Sequence, residues 1–392
     1  STDGKVRDSA WLISRDDVRP IYGGTPDESG VIALIQALKA CGFAVTLYPF
    51  ILIDIPDGNA LPDPDGGIGQ PAYPWRGRIR PGAGSVASQV ADFFGSAAAS
   101  DFAVGSGQVS YSGPPEWRYR RFILNCAALA AAAGGVEGFL IGSEMVALTT
   151  AGADEAYPAV AALCDLAGEA RSLLGPATRL SYAADWSEYH GHQGDGGAKT
   201  FHLDPLWSHP AIDAVAIDYY VPLADWRDGS GHLDAALASR PHDRAYLASQ
   251  LAGGEGYDWY YASPADRDAQ IRTPISDAAH GEAWVWRYKD LVGWWTNPHH
   301  DRPGGVRSAT PTDWVPMSKP VWLTEIGCPA VDKGANQPNV FIDPKSSESA
   351  PPWFSTGIRD DLIQRRYLET LLAHWERADA NPLSPVYGGP MV

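Results

Sequence analysis

An α/β fold on a parallel sheet is predicted by three features of this 392-residue sequence. Short apolar runs alternate with amphipathic stretches at helical spacing. The runs are near-continuous rather than alternating, as strands covered on both faces must be. Each later run also ends in polar or aromatic residues. Strand followed by helix, with reactive residues at the strand ends, is the organisation of a TIM (β/α)8-type barrel, whose chemistry sits at the C-terminal ends of its strands.

Taken in order, Ala10 to Ser14 is a first, short strand. Thr25-Pro26-Asp27-Glu28 reads as a helix start, with Thr25 as cap and Pro26 in the first turn. Val31, Leu34, Ile35 and Leu38 follow on one face, and Gly42 ends that helix. Phe43 to Ile53 is a buried strand. The Pro/Gly-rich stretch Pro56 to Gly84 is too long for a simple connection, and Tyr73, Trp75 and Arg76 favour an ordered lid. Trp117 to Ala133 is a helix stopped by Gly134-Gly135. Val136 to Ser143 is a strand, Asp154 to Leu174 a helix, and Arg179 to Ala184 and Ile212 to Ile217 are strands. Gln270 to Trp295 reads as helical, with Trp284, Tyr288 and Leu291 on one face. Pro320 to Thr324 is a strand, with Trp322 in the core, and Asp360 to Ala378 is the final helix.

The expected organisation is a single domain over residues 1–392, with long loops at about 54–116, 187–211, 221–269 and 328–359. A closed barrel needs eight strands, and fewer are found. The barrel is therefore expected to be incomplete at one or both ends of this sequence.

Bulk composition narrows the function. The net charge of −17 repels phosphate, so nucleic acid is not an expected partner. No apolar run reaches membrane-spanning length; Cys126 to Gly142 is broken by Gly134, Gly135 and Glu137. Cys41, Cys126, Cys164 and Cys328 contain no C-x-x-C pair and read as free thiols. The 15 Trp residues fill a large core and also suit a cleft that stacks sugar rings.

Two carboxylates stand out. Glu144 closes FLIGSE and Glu325 closes VWLTEIG, on strands three apart in this reading. Glycoside hydrolysis needs two carboxyl groups flanking one bond, and strands of a barrel bring distant residues to one mouth. Asp185, Trp186, Asp218, Tyr219 and Tyr220 stand at other strand ends and are expected to line it as substrate-binding residues, with Trp186 stacking a sugar and Tyr219 bonding the nucleophile. Asp332, Lys333, Asn336 and Asn339 either rim the cleft or tie down their loop. No cofactor is expected. The pairs His190/His192 and His299/His300 lack helix spacing and a nearby Cys, so no metal is expected either. Gly105-Ser106-Gly107 lacks the third glycine and the lysine of a phosphate loop.

IGSEM, LTEIGCPAVDKGANQPNVFIDPKSSES and RDDLIQRRY resemble the TIM-barrel-like domain of gene transfer agent and phage tail hub proteins, as do YGGTP, VTLYPFILIDIP and QPAYPWRGRI. That family is glycosidase-like by fold, and the resemblance covers essentially the whole sequence. It implies that Glu144 is the acid/base and Glu325 the nucleophile of a retaining glycosidase acting on bacterial cell-envelope polysaccharide. It also implies baseplate and tail proteins as partners, and a place in a virion or phage-tail-like particle made in the cytoplasm and acting at the cell surface. The wider glycosidase clan carries Asn before its acid/base, where Ser143 stands here with a shorter donor. The alternative expectation is an inactive sugar-binding or structural baseplate module.

Overall fold

The computed structural model describes residues 15–16, 19–20, 27–63, 66–105, 107–152 and 156–392. The expected strand Ala10 to Ser14 lies outside them, as do Thr25 and Pro26. The first helix, α1, is Glu28–Ala40, and its cap is Asp27, whose carboxylate accepts from the Gly30 N–H at 2.6 Å. An ionised cap satisfies an orphan donor and also suits the helix dipole.

The continuous strand expected over Phe43 to Ile53 is not formed. Only Thr46–Leu47, strand β1, pairs in the sheet. Pro49 has no N–H to give a ladder, and two of the apolar residues of the run face solvent, Phe43 62% and Leu52 80% exposed. Apolarity here did not mean burial.

The sequence reading missed helix α2, Val86–Phe94, capped by the Ser85 hydroxyl. It also missed a hairpin of strands β2, Phe102–Gly105, and β3, Gln108–Tyr111. Of the two glycines in Gly105-Ser106-Gly107, Gly105 ends β2 and Gly107, at φ +73°, lies in the turn of that hairpin. Helix α3 is Tyr119–Ala132, strand β4 Gly138–Ser143 and helix α4 Pro158–Leu174. The expected helix start at Asp154 lies outside the described residues, and Pro158 occupies the first turn, where its missing N–H costs nothing. Strands β5, Arg179–Asp185, β6, Val215–Tyr219, and β7, Val321–Ile326, follow, and helix α5 is Asp361–Trp375.

These strands form one mixed-α/β sheet in the order β7–β6–β5–β4–β1, parallel throughout. Each strand lies beside its predecessor among these five, the sequential neighbour order of a TIM-type barrel, here with five strands.

The chain divides into two compact units. In the first, Ser1–Gln70, Arg76–Ala183 and His202–Val215, helices α3 and α4 pack together and bury Ile123, Leu124, Leu163 and Leu166 beside Phe139, Leu140 and Ile141 of β4. In the second, Pro71–Trp75, Ala184–Phe201 and Ala216–Val392, the core is aromatic: Trp294, Trp295 and Tyr367 are fully buried.

The helix expected over Gln270 to Trp295 is not continuous. Gln270 itself takes a left-handed conformation that ends a short helix, Pro264–Ala269. Pro274 and Gly281 (φ +69°) then interrupt the pattern, leaving a turn at Ala283–Trp286 and a short helix at Leu291–Thr296. The tryptophans that simulated a helical stripe are buried from several separate turns.

Candidate active site

Glu144 is set by an irregularity at the end of β4. The register against β5 shifts between Leu140 and Ser143, and Gly142 sits at φ +154°. A Cβ on Gly142 would lie 2.1 Å from the Tyr119 hydroxyl, which donates to the Ile141 carbonyl at 2.9 Å. Only glycine fits there. Glu144 follows with φ +47°, a left-handed conformation that costs a non-glycine residue on the order of 1–3 kcal/mol. The surroundings hold it: its N–H donates to the Ala183 carbonyl at 2.9 Å, and the Tyr182 hydroxyl accepts from the Met145 N–H at 2.7 Å. Bulges and strained backbone of this kind gather next to functional sites, where they re-aim a side chain.

The Glu144 carboxylate lies 2.6 Å from the Arg76 guanidinium, and the two side chains are 8% and 9% exposed. Arg76 also donates through Nε to the Ser143 hydroxyl at 2.8 Å, and its guanidinium stacks 4.0 Å from the centroid of Phe50. Ser143 is thus engaged by protein. The sequence marks Arg76 as part of a lid and not as a site residue. Its only signal was an Arg beside a Trp in an otherwise Pro/Gly-rich stretch.

Glu325 is the fifth residue of β7 and is half-buried. The Tyr220 hydroxyl donates to its Oε2 at 2.8 Å. Tyr220, not Tyr219, is therefore the tyrosine on this carboxylate. Tyr219 is buried and meets Trp375 of α5 edge-on at 6.3 Å. Burial, and then the charge of Asp290, push its phenol well above the usual range. Side chains alternate along a strand, so an offset of one residue exchanges a site position for a core one. Asp218 is fully buried and accepts from the Thr324 hydroxyl at 2.8 Å, which ties β6 to β7 beside Glu325.

Asp185 closes its own turn: it accepts from the Ser187 N–H at 2.8 Å and from the Ser187 hydroxyl, while its N–H donates to Glu188. Trp186 is half-buried and packs on Tyr288, with ring centroids 4.7 Å apart. Asp332 and Asn336 tie down the loop after Glu325. Asp332 accepts from Ser355, Thr356 and Ile358; burial opposes its charge, and the Lys333, Thr356 and Ser355 donors outweigh it and hold the carboxyl well below the usual range. Asn336 pairs with the Trp226 backbone and the Trp353 carbonyl. Lys333 is buried against Asp332 and Asp228, and Asn339 is exposed.

The histidine pairs serve packing and polar roles. His299 is sandwiched between Phe201 at 4.2 Å and Trp314 at 5.5 Å, and its Nε2 is 2.8 Å from the Trp294 carbonyl. His300 Nδ1 lies 2.9 Å from the Ser308 carbonyl. His190 faces the Lys199 amine at 3.1 Å. Burial, then the Lys199 charge, hold His192 below its usual value. The four cysteines are free thiols, Cys328 the most buried. No helix among the described residues is long and apolar enough to cross a membrane.

A family model described as a GTA TIM-barrel-like domain matches residues 117–392, a span that holds Glu144, Glu325 and every strand of the sheet except β1. No curated protein matches the chain.

Proposed function

The chain belongs to the GTA TIM-barrel-like domain family, and from that premise we propose that it is a retaining glycoside hydrolase module of a gene transfer agent or phage-tail-like particle. Its substrate is a bacterial cell-envelope polysaccharide, reached at the cell surface. Glu325 is the nucleophile that attacks the anomeric carbon. Glu144 protonates the leaving oxygen, then takes a proton from the water that releases the glycosyl-enzyme. The observation that carries this reading is the pairing of chemistry with strain: Glu325 at a strand end is oriented by the Tyr220 hydroxyl, and Glu144 at another is held in a left-handed conformation. Strain at a charged strand-end residue is what pre-organisation for a reaction costs. Asp218 and Ser143 support the two carboxylates, and Trp186 offers an aromatic face.

The test is release of reducing ends from purified envelope polysaccharide by wild type, Glu144→Gln and Glu325→Gln. The proposal requires turnover by the wild type and a loss of at least a hundredfold in each variant. Equal rates in all three sink it.

A second reading is favoured by one contact. Arg76 already holds the Glu144 carboxylate, in a pair nearly closed to solvent. A module that binds sugar or serves as baseplate structure without cutting would keep such a pair intact. Binding of the polysaccharide without new reducing ends identifies that module.

A further inference from the structure

We propose that Arg76 selects the substrate of this site, and that the glycan it accepts carries a carboxylate. The inference rests on the hydrolase reading above, because it supplies what Glu144 needs in order to act as an acid. Every residue it uses belongs to the first unit.

An acid has to carry a proton before it can give one. A carboxylate 2.6 Å from a guanidinium, with both side chains under a tenth exposed, is held in its charged form. The resting site is therefore closed to its own first step. Glu144 can take a proton only if another anion replaces it at Arg76, because a guanidinium left alone in so dry a place is an uncompensated charge. A neutral sugar hydroxyl does not balance that charge. A carboxylate on the substrate does, and it replaces like with like. The pair Arg76–Glu144 becomes Arg76–substrate, one proton passes from solvent to Glu144, and the site stays neutral.

The guanidinium is placed for that exchange. It belongs to a single 3-10 turn, Arg76–Arg78, that packs on the short helix Val146–Thr149 just beyond Glu144. Phe50 lies 4.0 Å from it, and Nε is engaged by the Ser143 hydroxyl at 2.8 Å, so its plane is fixed. Nη2 faces Glu144. Nη1 has no hydrogen-bond partner among the described residues and is not sealed from solvent. Arg76 is thus 8% exposed and oriented on three sides, with donors to spare beside Glu144. The planar Nη1/Nη2 edge matches a carboxylate with two parallel bonds. Arg78 and Arg80 follow on the same stretch and are exposed, which makes this a basic edge on a chain whose net charge is −17.

The NMR signal of the Arg76 Nε–H in the full chain, assigned from Arg76→Lys, tests this. The probes are hexamers of galacturonate, mannuronate and hyaluronan, with dextran and poly(glycerol phosphate) beside them. At least one carboxylated hexamer should move the signal. It should bind at least tenfold more tightly to Glu144→Gln, in which the guanidinium is no longer already paired. Its binding to the wild type should also take up about one proton, read by calorimetry in buffers of different ionisation enthalpy. A signal unmoved by every carboxylated hexamer overturns the proposal. So does movement with dextran alone or with poly(glycerol phosphate) alone, an affinity unchanged or weaker in Glu144→Gln, or binding without proton uptake. Reducing ends released from a neutral glycan with no such movement sink this proposal and leave the hydrolase reading standing. Movement and proton uptake without any cleavage leave carboxylate recognition by Arg76 standing while the hydrolase reading falls.

Discussion

Replacing Arg76 with Met keeps the aliphatic stem but removes the charge that faces Glu144. The wild-type pair is 2.6 Å long, with both side chains under a tenth exposed, so solvent screens it little. Removing one partner of a buried ion pair costs about 3–5 kcal/mol, because the other charge stays in a dry site. The same substitution removes the stacking on Phe50, about 0.5–2 kcal/mol, and the hydrogen bond to Ser143. Against a total stability of about 5–15 kcal/mol, that is about a quarter of the fold or more. Urea unfolding at pH 7, followed by tryptophan fluorescence, should show the midpoint fall sharply in Arg76→Met. Arg76→Met/Glu144→Gln should recover most of the loss, since it leaves no charge behind. A loss below about 1 kcal/mol, or no recovery in the double variant, would refute the claim that this ion pair holds the end of β4.

Three further outcomes follow from the geometry. Gly142→Ala puts a methyl 2.1 Å from the Tyr119 hydroxyl and should destabilise by about 1–3 kcal/mol, with partial recovery in Gly142→Ala/Tyr119→Phe; thermal melts of these two, Tyr119→Phe and the wild type decide it. Tyr220→Phe should lower glycan turnover at least tenfold while Tyr219→Phe leaves it near wild type, because only the Tyr220 hydroxyl reaches Glu325. Burial pulls the Lys199 amine down to about 7, against about 10.4 in an unfolded chain. The unfolded state then holds more protons between those values, so Lys199 makes stability rise from about pH 7 to pH 10, and its burial cost is felt in full below pH 7. Burial lowers Lys289 to about 7 as well, so Lys199→Met should flatten that rise without abolishing it, as read from melting temperatures across pH 6–10.

The strands that carry the two carboxylates were legible because each is a short run of apolar residues with a charge at its end, a pattern that few other environments produce. Glu144 and Glu325 were placed at the ends of their strands on that basis. Arg76 was not, because a residue recruited from a loop leaves no periodic trace. Tyr219 was preferred over Tyr220 because the end of β6 cannot be fixed to one residue from apolarity, and one residue decides the face. The run from Phe43 to Ile53 misled because Pro49 denies it a ladder, which composition does not weigh. The stretch from Gln270 to Trp295 misled because tryptophans buried from separate turns imitate a helical stripe.

The central claim is that Glu325 attacks a sugar. Incubation with an activated 2-deoxy-2-fluoro-glucoside and an activated 5-fluoro-N-acetylglucosaminide, followed by peptide mass spectrometry, tests it directly, because such reagents accumulate the glycosyl-enzyme. The account predicts one added sugar on the peptide that contains Glu325, absent in Glu325→Gln. An unlabelled protein that also releases no reducing ends from envelope polysaccharide, or a label on any other residue, would contradict it.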